Sequence, residues 1–478
     1  MTCEVTRSRR LAVLAIALVS VLVACRVGPN YRVPALPQDA ETLLVPPDSE
    51  LDGTTPTPNA WWHLYNDAQL DRLVQEALQA NHELAAAEAH FAAARAAASG
   101  VHAYRYPSTE IGADATRGRD PTTEEILEFG GHPPRTISLY EDVFHAAYEL
   151  DLFGHVHRAI EAADANAEAE AAARDGVRVV VAAETARTYA AVCALGEELD
   201  VAHHSFDVVS HEARIALRQY EAGGGSQYDV KRAQALSDQV RATIPELEGE
   251  RQSELFALTA LLGRTPAHAP KQIETCTTPP RLSSLIPVGD GGALIRRRPD
   301  VREAERRLAA STAEIGVATA ELFPIVHLGA FFGGAAPEVP ELNTNVGRIW
   351  GIGPSISWTF PNQAGPRARV RQAKASQVAA LASFDSTVLT ALKEVEQTLT
   401  TYGSDLANRR TLASAQANVQ GAFDIARDGY EAGSLSTLDL LTTEQTLVSL
   451  DAAVASADTR LVQDQIAIFK ALGGGWQE

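Results

Sequence analysis

Two very long helical patterns without a single proline set the limits on what this chain can become. One runs from Gly154 to Ala222 and the other from Arg367 to Ala432. At 1.5 Å per residue each spans on the order of 100 Å. Globular helices rarely exceed about 25 residues, so runs of this length imply a coiled coil or a barrel of helices. Both end in the same turn, RQYEAGGGSQYD at residues 218–229 and DGYEAGSLSTLD at 428–439. In each, Tyr-Glu-Ala-Gly is followed by small polar residues and by an Asp nine positions after the Tyr. A helix, two strands, a long helix, the turn and a returning helix occur once in each half of the chain. Such a period is too long for a solenoid and reads as one supersecondary unit used twice.

The expected organisation is a first repeat at 61–262, a loop-rich segment at 263–298, a second repeat at 299–472 and a tail at 473–478. In the first repeat the helical pattern before residue 104 divides near Asn81. Pro245 should break or kink the returning helix, because it lacks an N–H and clashes with the preceding turn. Near the first turn Ala202, Phe206, Val209, Ala213, Ala216 and Tyr220 are spaced four and three apart. Val230, Ala233, Ser237, Val240, Ile244 and Leu247 answer them on the returning helix, and Leu440, Leu447, Val454, Leu461 and Ile468 recur every seven residues. This period of 3.5 predicts left-handed helix pairs with the turns at their tips. A plain helical bundle would explain the same stripe, but neither the helix length nor the strands at the far end.

Those strands pose a closure problem. Ile352, Pro354, Ile356, Trp358 and Phe360 alternate with Gly351, Gly353, Ser355, Ser357 and Thr359. Apolar residues outside and small polar ones inside suit a lipid-facing barrel with a wet lumen. Four strands cannot close alone, and an open edge is not tolerated in a membrane. Three chains would give a 12-stranded barrel.

The N-terminus is a signal segment, residues 1–24. Arg7, Arg9 and Arg10 precede the apolar run LAVLAIALVSVLVA, which is too short for a permanent span. Leu22-Val23-Ala24-Cys25 resembles a bacterial lipobox, so cleavage before Cys25 and acylation of its thiol are expected. Arg26 stands where an Asp commonly retains lipoproteins at the inner membrane, which points to the outer membrane. Residues 25–60 are Pro-rich and extended. After the signal, no apolar stretch of 18 residues predicts a membrane-spanning helix. A net charge of −20 argues against nucleic-acid partners. Of the remaining cysteines, Cys193 in a helical run and Cys276 in a loop could form a bridge, but free thiols are expected. No nucleophile elbow, phosphate loop or metal spacing supports catalysis or a cofactor: His155 and His157 diverge on a helix, and His203, His204 and His211 are too spread for one metal.

The stretches ACRVGPNYRVP, WWHLYNDAQLDRLVQEAL, YELDLFGHVHRAIEAA and ALIRRRPDVREAERRLAASTAEIGVATAELFP, with the two YEAG turns, resemble the TolC-like outer membrane factors. Within them the likeness is to the NodT-type lipoprotein branch of tripartite efflux systems, and it covers the mature chain. Gly291-Gly292 depart from the Pro-Ser usual in members. The resemblance implies a mainly α homotrimeric channel, with a β-barrel in the outer membrane on a periplasmic α-helical barrel. The segment 263–298 and the chain ends would form an equatorial belt. It further implies a non-enzymatic conduit that serves a periplasmic adaptor and an inner-membrane transporter of the resistance-nodulation-division type, passing small molecules outward. Type I protein secretion and a non-conducting periplasm-spanning lipoprotein are the alternatives.

By the same resemblance Tyr430 matches a gate tyrosine and Asp439 an acid that rings the aperture. Leu435 stands where the prototype has Arg, and Thr442 where it has a second acid, so Arg427 or Asp428 would supply the gate's ion links. Tyr430 and Asp439 also suit plainer roles, a seam aromatic and an acid at a helix N-terminus. Tyr220, Gly223, Gly224, Gly225 and Asp229 in the first turn, with Gly433, Ser434 and Leu435 in the second, are the candidate adaptor-docking tips.

Overall fold

The computed structural model describes residues 26–36, 50–53, 55–118, 136–282, 284–289 and 295–474. The signal segment, Cys25 and Gly291-Gly292 lie outside them. Helices α1 (Ala68–Ala80) and α2 (His82–His102) meet at Asn81, as the pattern predicts. The Asp67 carboxylate caps α1 by accepting from the N–H groups of Gln69 and Leu70 at 2.8 and 3.1 Å. Asn81 does the same for α2, accepting from Glu83 and Leu84, while its amide donates to the Leu261 carbonyl. Each cap satisfies donors that a helix start leaves unpaired.

Each long helix and its return match their counterparts within a residue. Helix α3 (His155–Glu221) has 67 residues and α6 (Ala364–Glu431) has 68, whereas α4 (Gln227–Leu261) and α7 (Thr437–Ala471) have 35 each. Helix α5 (Pro299–Ala320) opens the second repeat. Pro245 does not break α4, which continues past it. An internal proline costs about 3 kcal/mol. The buried turns on either side, ending at Val240 and resuming at Leu255, absorb that, and the carbonyl freed at exposed Arg241 can bond to water.

The chain forms two compact units. The first draws on residues 26–34, 91–169 and 304–384 and holds one antiparallel sheet. Strands β2 (Ser108–Gly118), β3 (Ile137–Leu150), β5 (Ile325–Ala336) and β6 (Arg348–Ser357) lie in that order. Trp350 sits opposite Phe332 and Ile352 opposite Ala330, on the face where Trp350, Ile352 and Ile356 are about 70% exposed. On the other face Phe331 sits opposite Gly351, where a Cβ would lie 2.6 Å from the ring. The expected alternation therefore holds, but the strand stops at Ser357. Trp358 leaves it to stack on Phe360 and donates its indole N–H to the Leu322 carbonyl. The extended segment is pinned to this unit by Arg158, which donates to the carbonyl of Val27 and to Asn30 Oδ1.

The second unit draws on residues 35–90, 170–303 and 385–474. Trp61 stacks on Phe469 at 4.7 Å in a core that includes Leu70, Val192, Leu258, Leu399 and Tyr402. Strands β1 (Leu51–Asp52) and β4 (Ile286–Pro287) pair in parallel and tie the N-terminal segment to the 263–298 region. Arg298 donates to the Ala471 carbonyl and pairs with Asp300 and Glu394, so the C-terminal end packs there too. Among the described residues α3 alone is long and apolar enough to cross a membrane by composition. That window is 83% buried within the protein and belongs to this core.

The expectation of free thiols fails. Cys193 and Cys276 form a disulfide across 83 residues, with their Cα atoms 4.7 Å apart. The loop reaches α3 because Gly196 lets it: a Cβ there would lie 2.1 Å from the Cys276 carbonyl oxygen. Arg251 holds the same carbonyl with a 2.7 Å hydrogen bond.

Candidate functional site at the hairpin tips

Both turns are closed by the same backbone chemistry. Gly223 and Gly433 take positive φ, +81° and +75°, which L side chains rarely adopt. Their N–H groups return to the carbonyls of Tyr220 and Tyr430, and the next N–H groups, of Gly224 and Ser434, to Gln219 and Gly429. These bonds satisfy the last carbonyls of each long helix. Gly225 and Leu435, equivalent in the two turns, differ in packing. Leu435 folds over Gly429, where a Cβ would meet it at 2.8 Å, whereas Gly225 has only backbone and the Gln219 stem beside it.

Each returning helix opens on a Ser–Asp pair. The Ser226 hydroxyl accepts from the Asp229 N–H and donates to its carboxylate at 2.7 Å. Ser436 and Asp439 form a full capping box, because the Ser436 N–H also donates to the Asp439 carboxylate. The Ser436 hydroxyl and N–H hold the Asp439 carboxyl below its usual range. Asp439 thus stays ionised, fully exposed at the tip, while serving its own helix start.

Beside the tips, two side-chain bonds among the described residues join the α3–α4 hairpin to the α6–α7 hairpin. The Tyr430 hydroxyl donates to Gln219 Oε1 at 2.6 Å, and Arg232 Nη2 donates to Thr442 Oγ1 at 3.0 Å. Tyr430 also packs at the edge of a cluster of Phe423, Ala426, Leu440 and Leu447. A second cluster joins Ala216 of α3, Val230 and Ala233 of α4, and Leu441 of α7. A third joins Val209, Leu236 and Val240, so Leu236 fills the place expected of Ser237. Tyr220 is 43% exposed and lies outside these clusters.

Among the described residues, the ion pairs of Arg427 and Asp428 stay on their own helix. Arg427 reaches Asp424 at 3.4 Å and Asp428 at 3.9 Å on its own helix and lies over the Phe423 ring. Sequence reasoning passed over Gln219 and Arg232, although Arg232 stands 210 residues from Thr442, the repeat offset at the turns. It also passed over Glu444, which is 1% exposed with neither carboxylate oxygen partnered. Burial, with a smaller contribution from nearby Glu212, pushes its carboxyl up to about 7. Among the described residues no group of His, Cys, Asp and Glu could hold a metal ion.

The sequence profile described as "Outer membrane efflux protein" matches residues 73–264 and 292–474, one match in each repeat. The chain is 28% identical to Nodulation protein T of Rhizobium leguminosarum bv. viciae, over 98% of this chain and 94% of that protein. It is 26% identical to the probable outer membrane lipoprotein SilC of Salmonella typhimurium, over 98% of this chain and all of that one. The solved outer-membrane channel OprN superposes with a TM-score of 0.86 at 34% identity, over 95% of this chain and all of OprN. With both repeats matched and the fold shared along nearly its whole length, the chain belongs to the outer membrane efflux protein family.

Proposed function

We propose that this chain is one of three identical subunits of an outer-membrane efflux channel, anchored by lipid on Cys25 and working in a tripartite system. The observation that carries the reading is the four-stranded sheet. Its outer face is apolar, and among the described residues β2 and β6 each keep one unpaired edge. Lipid tolerates no open edge, and three copies close twelve strands. The long helices would then line a conduit through the periplasm. Their six tips would face a periplasmic adaptor, which connects the channel to an inner-membrane transporter that supplies the energy. Small molecules would pass outward without reaction and without a resident cofactor.

In this reading Tyr430 and Asp439 stand at the aperture, with Arg427 and Asp428 behind them on the last turn of α6. The tips built on Tyr220, Gly223, Gly224, Gly225 and Asp229, and on Gly433, Ser434 and Leu435, dock the adaptor. An ionised, fully exposed Asp439 in three copies supports a cation-favouring ring. Planar-bilayer recording on the full-length acylated protein tests the proposal. Stepwise conductance from trimers is expected, and trimers that never conduct would overturn it in favour of a structural lipoprotein. Cys25→Ser should abolish acyl labelling, and persistent labelling would refute the lipid anchor. Loss of a secreted protein on gene deletion, with drug and metal susceptibility unchanged, would move the channel to type I secretion.

A further inference from the structure

Glu444 lies one turn beyond Asp439 on α7, at the level where the two hairpins of one chain pack together. The clusters around it draw on α3, α4, α6 and α7. It is 1% exposed and both its carboxylate oxygens lack a partner. A buried ionised carboxylate without hydrogen bonds is costly, so such a group is kept neutral or its surroundings open. The charged groups around it do not neutralise it. From α3, Glu212 adds negative charge, with His211 at 3.8 Å from Glu212. From α6, Arg427 and Glu431 act on Glu212 with opposite signs, and Arg427 is engaged by Asp424. From α4, Arg232 is held by Thr442, and on α7 itself Asp439 is held by Ser436.

We propose that Glu444 and Glu212 form a proton-operated latch between the two hairpins of each subunit, closed when Glu444 is protonated and loosened when it ionises. Protonated, Glu444 is a neutral side chain in an apolar four-helix contact. Ionised, it places a second negative charge beside Glu212, and the packed state relieves this only by admitting water or moving α7 from α3. Among the described residues, Tyr430–Gln219 and Arg232–Thr442, both exposed, are the side-chain hydrogen bonds that join the hairpins beside the tips. The sign follows from linkage: Glu444 titrates near 7 when folded and near its ordinary 4.5 when released. The packed contact is therefore strongest below the ordinary carboxyl range and weakens as pH rises toward about 7. The ligand is the proton, and its concentration in the periplasm would bias the tips toward the open or closed arrangement.

The inference rests on reading the tips as the aperture, so the test separates movement from conductance. Hydrogen exchange of tip peptides in the full-length trimer is compared between wild type and Glu444→Gln at the same pH, which cancels the intrinsic exchange rate. Near pH 8 the wild-type tips should exchange on the order of a hundredfold faster than those of Glu444→Gln, and near pH 4, below the ordinary carboxyl value, the two should agree. Glu212→Gln, which removes the neighbouring charge, should lower the wild-type midpoint. Equal exchange at both pH values would overturn the latch whatever the conductance does. A pH-dependent exchange difference without a matching change in conductance would support the latch and overturn the aperture reading.

Discussion

Arg232 and Thr442 occupy equivalent positions in the two halves of the chain, 210 residues apart, and the guanidinium of one donates to the hydroxyl of the other at 3.0 Å. The duplication thus brings its two copies into direct contact beside the tips. A charged donor meets a neutral acceptor there, so the link needs no carboxylate at position 442. Tyr430 and Gln219 make the companion bond between the long helices.

Removing either bond should loosen the hairpins. Arg232→Ala deletes an exposed charged hydrogen bond worth about 1 kcal/mol after solvent screening, roughly fivefold in an equilibrium. Single-channel recording should show an open fraction raised by about that factor. Tyr430→Phe keeps the ring against Phe423 and Leu440 and should act less strongly than Tyr430→Ala. Equal effects of the two Tyr430 variants would place the whole contribution in the hydroxyl.

The disulfide closes a loop that contains the C-terminal part of α3, the first tip and all of α4. Loop closure over 83 residues corresponds to roughly 4.5 kcal/mol of chain entropy in the unfolded state. Cys193→Ser should therefore lower the thermal midpoint of the detergent-solubilised protein, and reductant should move wild type to the same value. A midpoint indifferent to both would show that the core around Trp61 and Phe469 holds this region unaided.

Asp439 and Glu444 should respond to pH with opposite signs. Asp439 has a lowered carboxyl pKa, so its contribution is present above the ordinary Asp range and lost as pH falls through the folded value. Asp439→Asn should raise hydrogen exchange at the start of α7 at neutral pH, and the difference from wild type should vanish on acidification below that range. A difference that persists in acid would assign the effect to altered packing.

Ile352 projects from the exposed face of β6. A lysine on the lipid face of a barrel costs roughly 2–4 kcal/mol at the bilayer midplane. Ile352→Lys should reduce the heat-resistant assembled trimer in outer-membrane fractions, while Ile352→Val should leave it unchanged. Normal assembly of the lysine variant would place this face away from lipid.

Much of the architecture is written locally. Asp67, Asn81, Ser226 and Ser436 start helices through contacts within three residues, and Gly223 and Gly433 end them through positive φ. The absence of proline allows α3 and α6 their length, and the alternation in β6 marks two faces, because each depends on neighbours a few residues away. Even Pro245 was legible as a local cost, though not its outcome, since the partners that bury Val240 and Leu255 on either side of it lie elsewhere in the chain.

What the sequence alone determined about this protein is therefore its set of elements, their duplication and the chemistry of the turns. Tertiary structure alone decided which distant residues meet. Cys276 reaches Cys193 only because the loop passes over Gly196, and Arg232 meets Thr442 only because the two repeats pack side by side. Glu444 looks in sequence like any polar helical residue. Its burial beside Glu212 comes from four helices converging on one level, a long-range packing effect with no signature in the residues that flank it.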